Sequence, residues 1–343
     1  MIETGSTDNV IVLRRAANSE LVGQIDRDAA NIIKAHSEVA QLPDGKPLAS
    51  TEVYVVINLS KKGSGDMGNI SIRGVSPEAF QLRPVVKLTS GRMLQFGTDE
   101  IIVGKNIAEQ FEGCEIGQRI KFGDAQWTIV GHFDAEGTAF ESEIWGDVEQ
   151  LMPAFGRPVF STITFRLKDP FAFESVKRKI EEDPRTQYTQ PKIEQEYYRD
   201  QTKLMSDFIK LLGIVVSIIF SFGAMIGAMI TMFAAVANRT VEIGTLRALG
   251  FRRRNILVAF FFESILLSLL GGIAGIALAS FMSFIRISTV HWGTFSELGF
   301  GFELSVGIAI TCLIISMAMG TIGGLLPAIR AARLQITTAL RAS

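Results

Sequence analysis

Three long apolar runs without a charged residue dominate the C-terminal part of the chain, at 211–237, 264–285 and 304–329. Each exceeds the roughly 20 residues that an α-helix needs to cross about 30 Å of membrane hydrocarbon. The sequence therefore predicts three transmembrane helices, at about 208–237, 256–285 and 304–329. Residues 1–210 contain no comparable run and hold most of the charge, so this part is predicted to be a water-soluble domain.

Charges in the loops predict which helix ends face the cytoplasm, because Lys and Arg are retained on that side in short loops. The 238–254 segment holds five Arg residues against the single acid Glu242. The tail after residue 329 holds three Arg and no acid, whereas the loop 286–303 has one Arg and two Glu. The segment and the tail are therefore predicted to be cytoplasmic, and residues 1–205 to be extracytoplasmic.

This orientation requires something that carries residues 1–205 across the membrane. The first residues of the chain have neither the basic start nor the apolar core of a signal segment. We therefore expect a first transmembrane helix upstream of residue 1. Its absence from this sequence would mean that the chain is a fragment or that its start codon was assigned too late.

Composition excludes several classes of function for the outer domain. The whole chain has a formal net charge of −1, and basic residues outnumber acidic ones after residue 210, so residues 1–210 are acidic. An acidic domain is not expected to bind nucleic acid. Cys114 falls in the outer domain and Cys312 in a predicted membrane helix, so we expect no disulfide between them. No Cys or His cluster in the sequence has the spacing of metal ligands.

The outer domain has the alternating pattern of an α+β fold. Apolar, β-branched runs predict strands at 9–14, 51–58, 69–73 and 161–167, of which the second and third form a hairpin. Short strands broken by Gly predict an inserted β-rich subdomain at about 75–158. Its predicted strands are 100–104, 119–122 and 126–131.

Helices are predicted on both sides of this insertion. Ser19 is predicted to cap a helix whose apolar residues run from Leu21 to Ile32 at helical spacing. Further helices are predicted at about 170–182 and from about 192 into the membrane. The sequence thus predicts an α+β domain over 1–205, followed by a membrane domain of three helices over 206–343.

The 238–254 segment carries a short helical pattern between the first two membrane helices. Ile243, Leu246 and Leu249 recur at steps of three, and Gly250 stands where a helix would end. The alternative is a simple re-entry turn whose Arg residues only reflect the cytoplasmic charge bias. That alternative explains the Arg residues but neither Glu242 nor the regular Gly pattern.

Two motifs in the membrane domain resemble those of FtsX/MacB-like ABC transporter permeases. Residues 241–250, Val-Glu-Ile-Gly-Thr-Leu-Arg-Ala-Leu-Gly, are similar to the cytoplasmic loop of that family. Residues 325–334, Leu-Leu-Pro-Ala-Ile-Arg-Ala-Ala-Arg-Leu, are similar to the end of its last transmembrane helix. In the outer domain, 99–104 and 127–131 resemble the periplasmic core of the MacB-like group, so the resemblance covers most of the chain.

The resemblance implies a bacterial inner-membrane subunit with four transmembrane helices. It implies a dimer, with itself or with a paralogous permease, bound to two ATPase subunits that hold ATP and Mg. A periplasmic adaptor and an outer-membrane channel are further possible partners, and no cofactor is expected in this chain. The sequence departs from the family in lacking helix one and in having Gln335-Ile336 where members often have Asp-Pro.

Carried over residue by residue, the resemblance implies a coupling helix that sits in a cleft of the ATPase. Its residues would be Arg239, Glu242, Gly244, Arg247 and Gly250. A desolvated ion pair between Glu242 and a basic group of the ATPase would transmit force well, because its geometry is fixed.

Each membrane helix also has a pair of Gly residues four apart, a spacing that permits close backbone approach. These pairs are Gly223 and Gly227, Gly271 and Gly275, and Gly320 and Gly324. Packing within one subunit and packing across a dimer are both compatible with them. Glu263 is the lone charge between Arg254 and Arg286; a structural contact near the inner interface is favoured over an ion or proton relay.

No catalytic pattern accompanies these features. The chain has no G-x-x-x-x-G-K-[ST] phosphate-binding loop, and its three His residues are scattered at 36, 132 and 291. We therefore expect a non-catalytic permease of an ABC exporter that transmits ATP-driven motion to its outer domain. The alternative is an FtsX-type signalling subunit that activates a cell-wall hydrolase. A membrane receptor without an ATPase is disfavoured by the 238–254 segment.

Overall fold

The computed structural model describes residues 4–284, 286–290, 297–301 and 304–334. These residues divide into two compact units. The first comprises those in Met1–Met205 and Ile287–Phe300, and the second those in Ser206–Arg286 and Gly301–Ser343. The predicted features at His291 and at Gln335-Ile336 lie outside the described residues.

The first unit is built on one mixed sheet of ten strands. Its order is β10-β1-β9-β2-β3-β8-β5-β7-β4, with β6 also paired to β7. The pairs β3–β8 and β5–β7 are parallel, and the other pairs along this order are antiparallel. The strands are β1 Asn9–Arg14, β2 Ala49–Ser60, β3 Met67–Val75, β4 Lys87–Gly91, β5 Glu100–Gly104, β6 Arg119–Phe122, β7 Ala125–Asp134, β8 Glu143–Asp147, β9 Thr162–Arg166 and β10 Thr189–Ile193.

Helices of this unit are short, except the one that leaves it. They are α1 Arg27–Lys34, α2 Ala79–Leu82, α3 Lys105–Gln110, α4 Val148–Ala154, α5 Phe173–Glu182 and α6 Glu194–Asn238. Both faces of the sheet contribute to apolar cores, because successive side chains of a strand point to opposite faces. In β8, Ile144 belongs to one apolar cluster and Trp145 to the other.

The predicted fold class is confirmed in this unit, and one helix start is wrong. The hairpin predicted from 51–58 and 69–73 is the antiparallel pair β2–β3. Residues 75–158, predicted as a β-rich insertion, supply β4 to β8, and β8 joins them to β3 in the same sheet.

Ser19 does not cap an α-helix. It precedes only a single 3₁₀ turn, Glu20–Val22, and its side chain makes no cap hydrogen bond. The α-helix α1 begins later, at Arg27, where Asp26 Oδ1 accepts a hydrogen bond from the Ala29 N–H at 2.8 Å. The longer pattern from Leu21 is interrupted at Ile25, which forms a β-bridge with Phe160.

The second unit contains three helices whose length and apolar composition suffice to cross a membrane. They span Ser206–Asn238, Arg253–Ser283 and Val306–Arg333, which confirms the three predicted transmembrane helices. Within these spans lie the last part of α6, helix α8 Arg253–Ser280 and helix α9 Val306–Arg333. A short helix, α7 Thr240–Ala248, follows α6. The strands β11 Arg286–Val290 and β12 Glu297–Gly301 pair with each other and, apart from Arg286 and Gly301, are grouped with the first unit.

The cap of α1 gives a direct test of the corrected helix start. Asp26→Ala is expected to lower the free energy of unfolding by about 1 kcal/mol, the usual cost of losing an N-cap. Ser19→Ala removes no helix cap and is expected to cost less. Urea unfolding followed by tryptophan fluorescence would measure both, and a larger loss for Ser19→Ala would contradict the assignment.

The same cap should respond to acid. The backbone hydrogen bond from Ala29 and then the Tyr188 hydroxyl, 2.6 Å from Asp26 Oδ2, hold the pKa of Asp26 below its usual value. A depressed carboxyl pKa stabilises the fold above the unfolded pKa, and this contribution is lost as pH falls through the folded pKa. The stability gap between wild type and Asp26→Ala should therefore shrink below about pH 4.

Candidate functional site

Helix α7 has one buried and one exposed face. Ile243 and Gly244 are buried, whereas Glu242 is exposed. Of the three apolar residues predicted on one face, Ile243 alone is buried; Leu246 and Leu249 are 42% and 74% exposed. The helix thus presents an acid and two large apolar side chains on its uncovered surface.

The end of α7 is fixed by a Schellman motif, in which a left-handed residue closes the helix with two backbone hydrogen bonds. The Gly250 N–H donates to the Arg247 carbonyl, and the Phe251 N–H to the Leu246 carbonyl, each at 3.2 Å. Gly250 has φ = 98°, a conformation that residues with a Cβ rarely adopt. This requirement gives a physical reason for the Gly at this position.

The buried face of α7 packs on the ends of all three membrane-length helices. Ile243 belongs to an apolar cluster with residues of α6, α8 and α9. The other buried members are Met232, Val236, Ile256, Phe260, Ala328 and Ala331. Arg247 adds a polar tie, since its Nη1 donates to the Ala332 carbonyl in the last turn of α9 at 3.0 Å. A cationic side chain there also suits the negative end of the helix dipole.

Arg239 and Glu263 form an ion pair between the 238–254 segment and α8. Arg239 Nη1 lies 3.0 Å from Glu263 Oε1 and 3.1 Å from Oε2. The two side chains are 50% and 32% exposed within the chain. A paired carboxylate costs less at membrane depth than an isolated one. The pair fixes the residue that precedes α7 to the second membrane helix.

A seam of small residues joins α8 to α9. Ser264, Ser268 and Gly272 recur at steps of four on α8, and Ser316, Gly320 and Gly324 do so on α9. A Cβ added at Gly320 would lie 2.3 Å from Ser268 Cβ, and one added at Gly324 would lie 2.3 Å from Ser264 Cβ. Ser316 Oγ also donates to the Ser268 carbonyl at 2.6 Å. The two backbones therefore approach closely only because these side chains are small.

The other predicted Gly pairs have no close neighbour in the described part of the chain. A Cβ added at Gly223, Gly227, Gly271 or Gly275 would meet nothing within 4 Å. Gly323, which was not singled out from the sequence, faces α6 instead, since a Cβ added there would lie 3.1 Å from the Met225 carbonyl oxygen. Counting Ser together with Gly at steps of four would have identified the α8–α9 seam.

A second group of charged residues, unrecognised in the sequence, lies inside the first unit. We call it the buried charge cluster; its members are Glu20, Glu52, Arg73, Arg83, Glu143 and Glu194, each no more than 5% exposed. Glu52 joins the two guanidinium groups, since its carboxylate lies 2.7 Å from Arg73 Nη1 and 2.6 Å from Arg83 Nη1. Burial alone would raise the pKa of Glu52, but Arg83 and Arg73 together hold it below its usual value.

Each Arg of the buried charge cluster has further carboxylate partners. Arg73 Nη1 lies 2.6 Å from Glu20 Oε1, and its Nε lies 2.8 Å from Glu143 Oε2. Arg83 Nε lies 2.8 Å from Glu194 Oε1. Burial raises the pKa of Glu143 although Arg73 opposes this. Among the described residues, no group of three or more His, Cys, Asp or Glu could hold a metal ion.

Comparison with known proteins finds a matching protein family for each unit. A family model for the MacB-like periplasmic core domain matches residues 2–183, and one for the FtsX-like permease C-terminal region matches 214–336. The macrolide export ATP-binding/permease protein MacB of Bdellovibrio bacteriovorus is 26% identical over 97% of this chain and 53% of its own length. The same protein of Neisseria gonorrhoeae is 24% identical over 91% of this chain and 48% of its own length. This chain thus spans about half the length of these relatives.

Two further comparisons cover less of the chain. The uncharacterized ABC transporter permease YvrN of Bacillus subtilis is 40% identical over 43% of this chain and 34% of its own length. The crystal structure of the periplasmic region of MacB from Actinobacillus actinomycetemcomitans aligns with a TM-score of 0.43 at 10% identity, over 58% of this chain and 94% of that one. The family matches confirm the resemblance inferred from the motifs.

The α8–α9 seam predicts opposite outcomes for two Gly substitutions. Gly320→Ala forces a methyl group against Ser268 and is expected to lower stability by about 1–3 kcal/mol, as overpacking does. Gly223→Ala, the matched control in α6, meets open space and is expected to be neutral or slightly stabilising. Thermal unfolding of the purified protein in detergent would compare them, and equal effects would contradict the seam.

Proposed function

Because this chain belongs to the FtsX-like permeases with a MacB-like periplasmic core domain, we propose that it is the membrane subunit of an ABC exporter. It resides in the bacterial inner membrane with residues 1–205 outside the cytoplasm. ATP hydrolysis by a separate ATPase subunit moves this outer domain, and the movement extrudes a substrate without catalysis by this chain. The relatives named for macrolide export and for ATP binding support this reading.

The observation that carries the proposal is the two-sided construction of α7. Its buried face is fixed to α6, α8 and α9 through Ile243 and through the Arg247 tie. Its exposed face offers Glu242 with Leu246 and Leu249. An apolar patch around one acid is suited to a protein interface, where a desolvated charge pair fixes orientation. A displacement of α7 would therefore be shared by all three helices.

The proposal divides the work between two subunits. The sequence of this chain holds no phosphate-binding loop of the G-x-x-x-x-G-K-[ST] type, and we assign the binding of ATP and Mg to the ATPase subunit. The permease acts as a dimer, formed with a second copy or a paralogous permease. A periplasmic adaptor and an outer-membrane channel would complete the export path.

Charge reversal on the exposed face of α7 tests the proposal. Glu242→Lys is expected to abolish the stimulation of the ATPase subunit by the permease, because it sets like charges against the basic group that Glu242 would pair with. Losing one partner of a buried interfacial pair costs about 2–5 kcal/mol, which is a loss of affinity of tenfold or more. ATP turnover and pull-down of the reconstituted complex would measure both effects.

Glu196→Lys is the matched control, since it reverses an exposed acid in the outer part of α6. It should leave ATP turnover unchanged. Wild-type stimulation in Glu242→Lys, with the protein inserted normally, would refute the coupling role of α7.

A further inference from the structure

The first two turns of α6 present one face to the sheet. Glu194, Tyr197, Tyr198 and Gln201 recur at helical spacing. Tyr197 is buried against Ile11 and Leu13 of β1. The face is polar at both ends, since Gln201 Nε2 donates to the Asn18 carbonyl at 2.6 Å.

Glu194 ties the start of this face to the buried charge cluster. It is the first residue of α6 and is fully buried. Its Oε1 accepts from Arg83 Nε, and its Oε2 accepts from Asn9 Nδ2 at 2.8 Å and from the Ser6 N–H at 3.1 Å. Each carboxylate oxygen thus has a donor, and the donors come from two separate parts of the chain, the segment that contains Ser6 and Asn9 and the residue Arg83.

Tyr198 provides a second tie one turn later. Its hydroxyl lies 3.3 Å from Arg73 Nη2 and donates to Glu20 Oε2 at 3.3 Å. Its ring meets Phe140 edge to face, with 5.6 Å between centroids. The guanidinium carbon of Arg73 lies over the rings of Tyr54 and Phe140, at 4.9 and 5.7 Å from their centroids.

These ties differ physically from apolar packing. The hydrophobic effect is non-directional, so apolar burial alone does not select one orientation of a helix. Charge-assisted hydrogen bonds are directional, and breaking a buried ion pair by moving one partner leaves an uncompensated charge in a medium of low dielectric constant. A helix tied in this way has one orientation on the sheet and resists pivoting.

We infer that the buried charge cluster is a fixed joint, which positions α6 on the sheet so that movement of the helix moves the outer domain as one body. The members act as positioning residues for the export cycle. The role of the cluster in the export cycle rests on the proposed function. The fixed attachment of α6 to the sheet depends only on contacts within the first unit.

Hydrogen–deuterium exchange on the permease–ATPase complex tests the joint and its purpose separately. Glu194→Gln removes the charge facing Arg83 and is expected to speed exchange at amides 198–203, while Glu196→Gln, the exposed neighbour, leaves it at the wild-type rate. Unchanged exchange in Glu194→Gln overturns the joint. Should Glu194→Gln unfold the domain, which exchange in β2 and β3 would reveal, Tyr198→Phe takes its place with the same expectation.

The second comparison measures how exchange in β4 to β8 differs with ATP and without nucleotide. Wild type and Glu196→Gln are expected to show a difference that Glu194→Gln loses. Bridging Asn18→Cys and Gln201→Cys with a short thiol cross-linker, in a Cys312→Ala background, should restore it. If Glu194→Gln speeds exchange at amides 198–203 and still shows the full ATP-dependent difference in β4 to β8, the inference is overturned. A wild type without any difference refutes the proposed function, and exchange at 198–203 then still decides the joint.

Discussion

A charged group removed from water needs an opposite charge or hydrogen-bond partners, and ion pairs lie at both ends of α6. In the first unit, two Arg and four Glu form the buried charge cluster, where the carboxylate of Glu52 bridges both guanidinium groups. The cluster joins residues of β2, β3 and β8 with the first residue of α6. In the second unit, the partly exposed Glu263 of α8 pairs with Arg239 beside α7. In each case a charge pair lies where α6 begins or where it has just ended.

The helix α6 therefore has a defined attachment at each end. It begins at Glu194, inside the buried charge cluster, and it ends at Asn238, one residue before the Arg239 ion pair. Its C-terminal turns contribute Met232 and Val236 to the apolar cluster that holds α7. This chain of attachments is the physical basis for proposing that force applied at α7 reaches the outer domain.

Features encoded by local periodicity could be predicted from the sequence. The three membrane-length helices, the β2–β3 hairpin and the C-terminal Gly250 of α7 all depend on neighbouring residues. The start of α1 could not be predicted in the same way, because a β-bridge at Ile25 interrupts the apolar pattern that begins at Leu21.

The buried charge cluster could not be predicted from local periodicity. The order of the strands in the sheet brings together residues that are far apart in the sequence, such as Glu20 and Glu143. The α8–α9 seam was visible in part. Its Gly320 and Gly324 were identified by spacing, but their Ser264 and Ser268 partners were not, because the spacing was applied to Gly alone.

The proposed transfer of force depends most on contact between the exposed face of α7 and the ATPase subunit. Site-specific photo-cross-linking tests it directly, with a photoreactive amino acid placed at position 242 or 246. Position 226, an exposed apolar site of α6, serves as the control. Coupling through α7 predicts cross-links to the ATPase from 242 and 246 and none from 226. A complex that hydrolyses ATP under permease control yet gives no cross-link from either α7 position would contradict it.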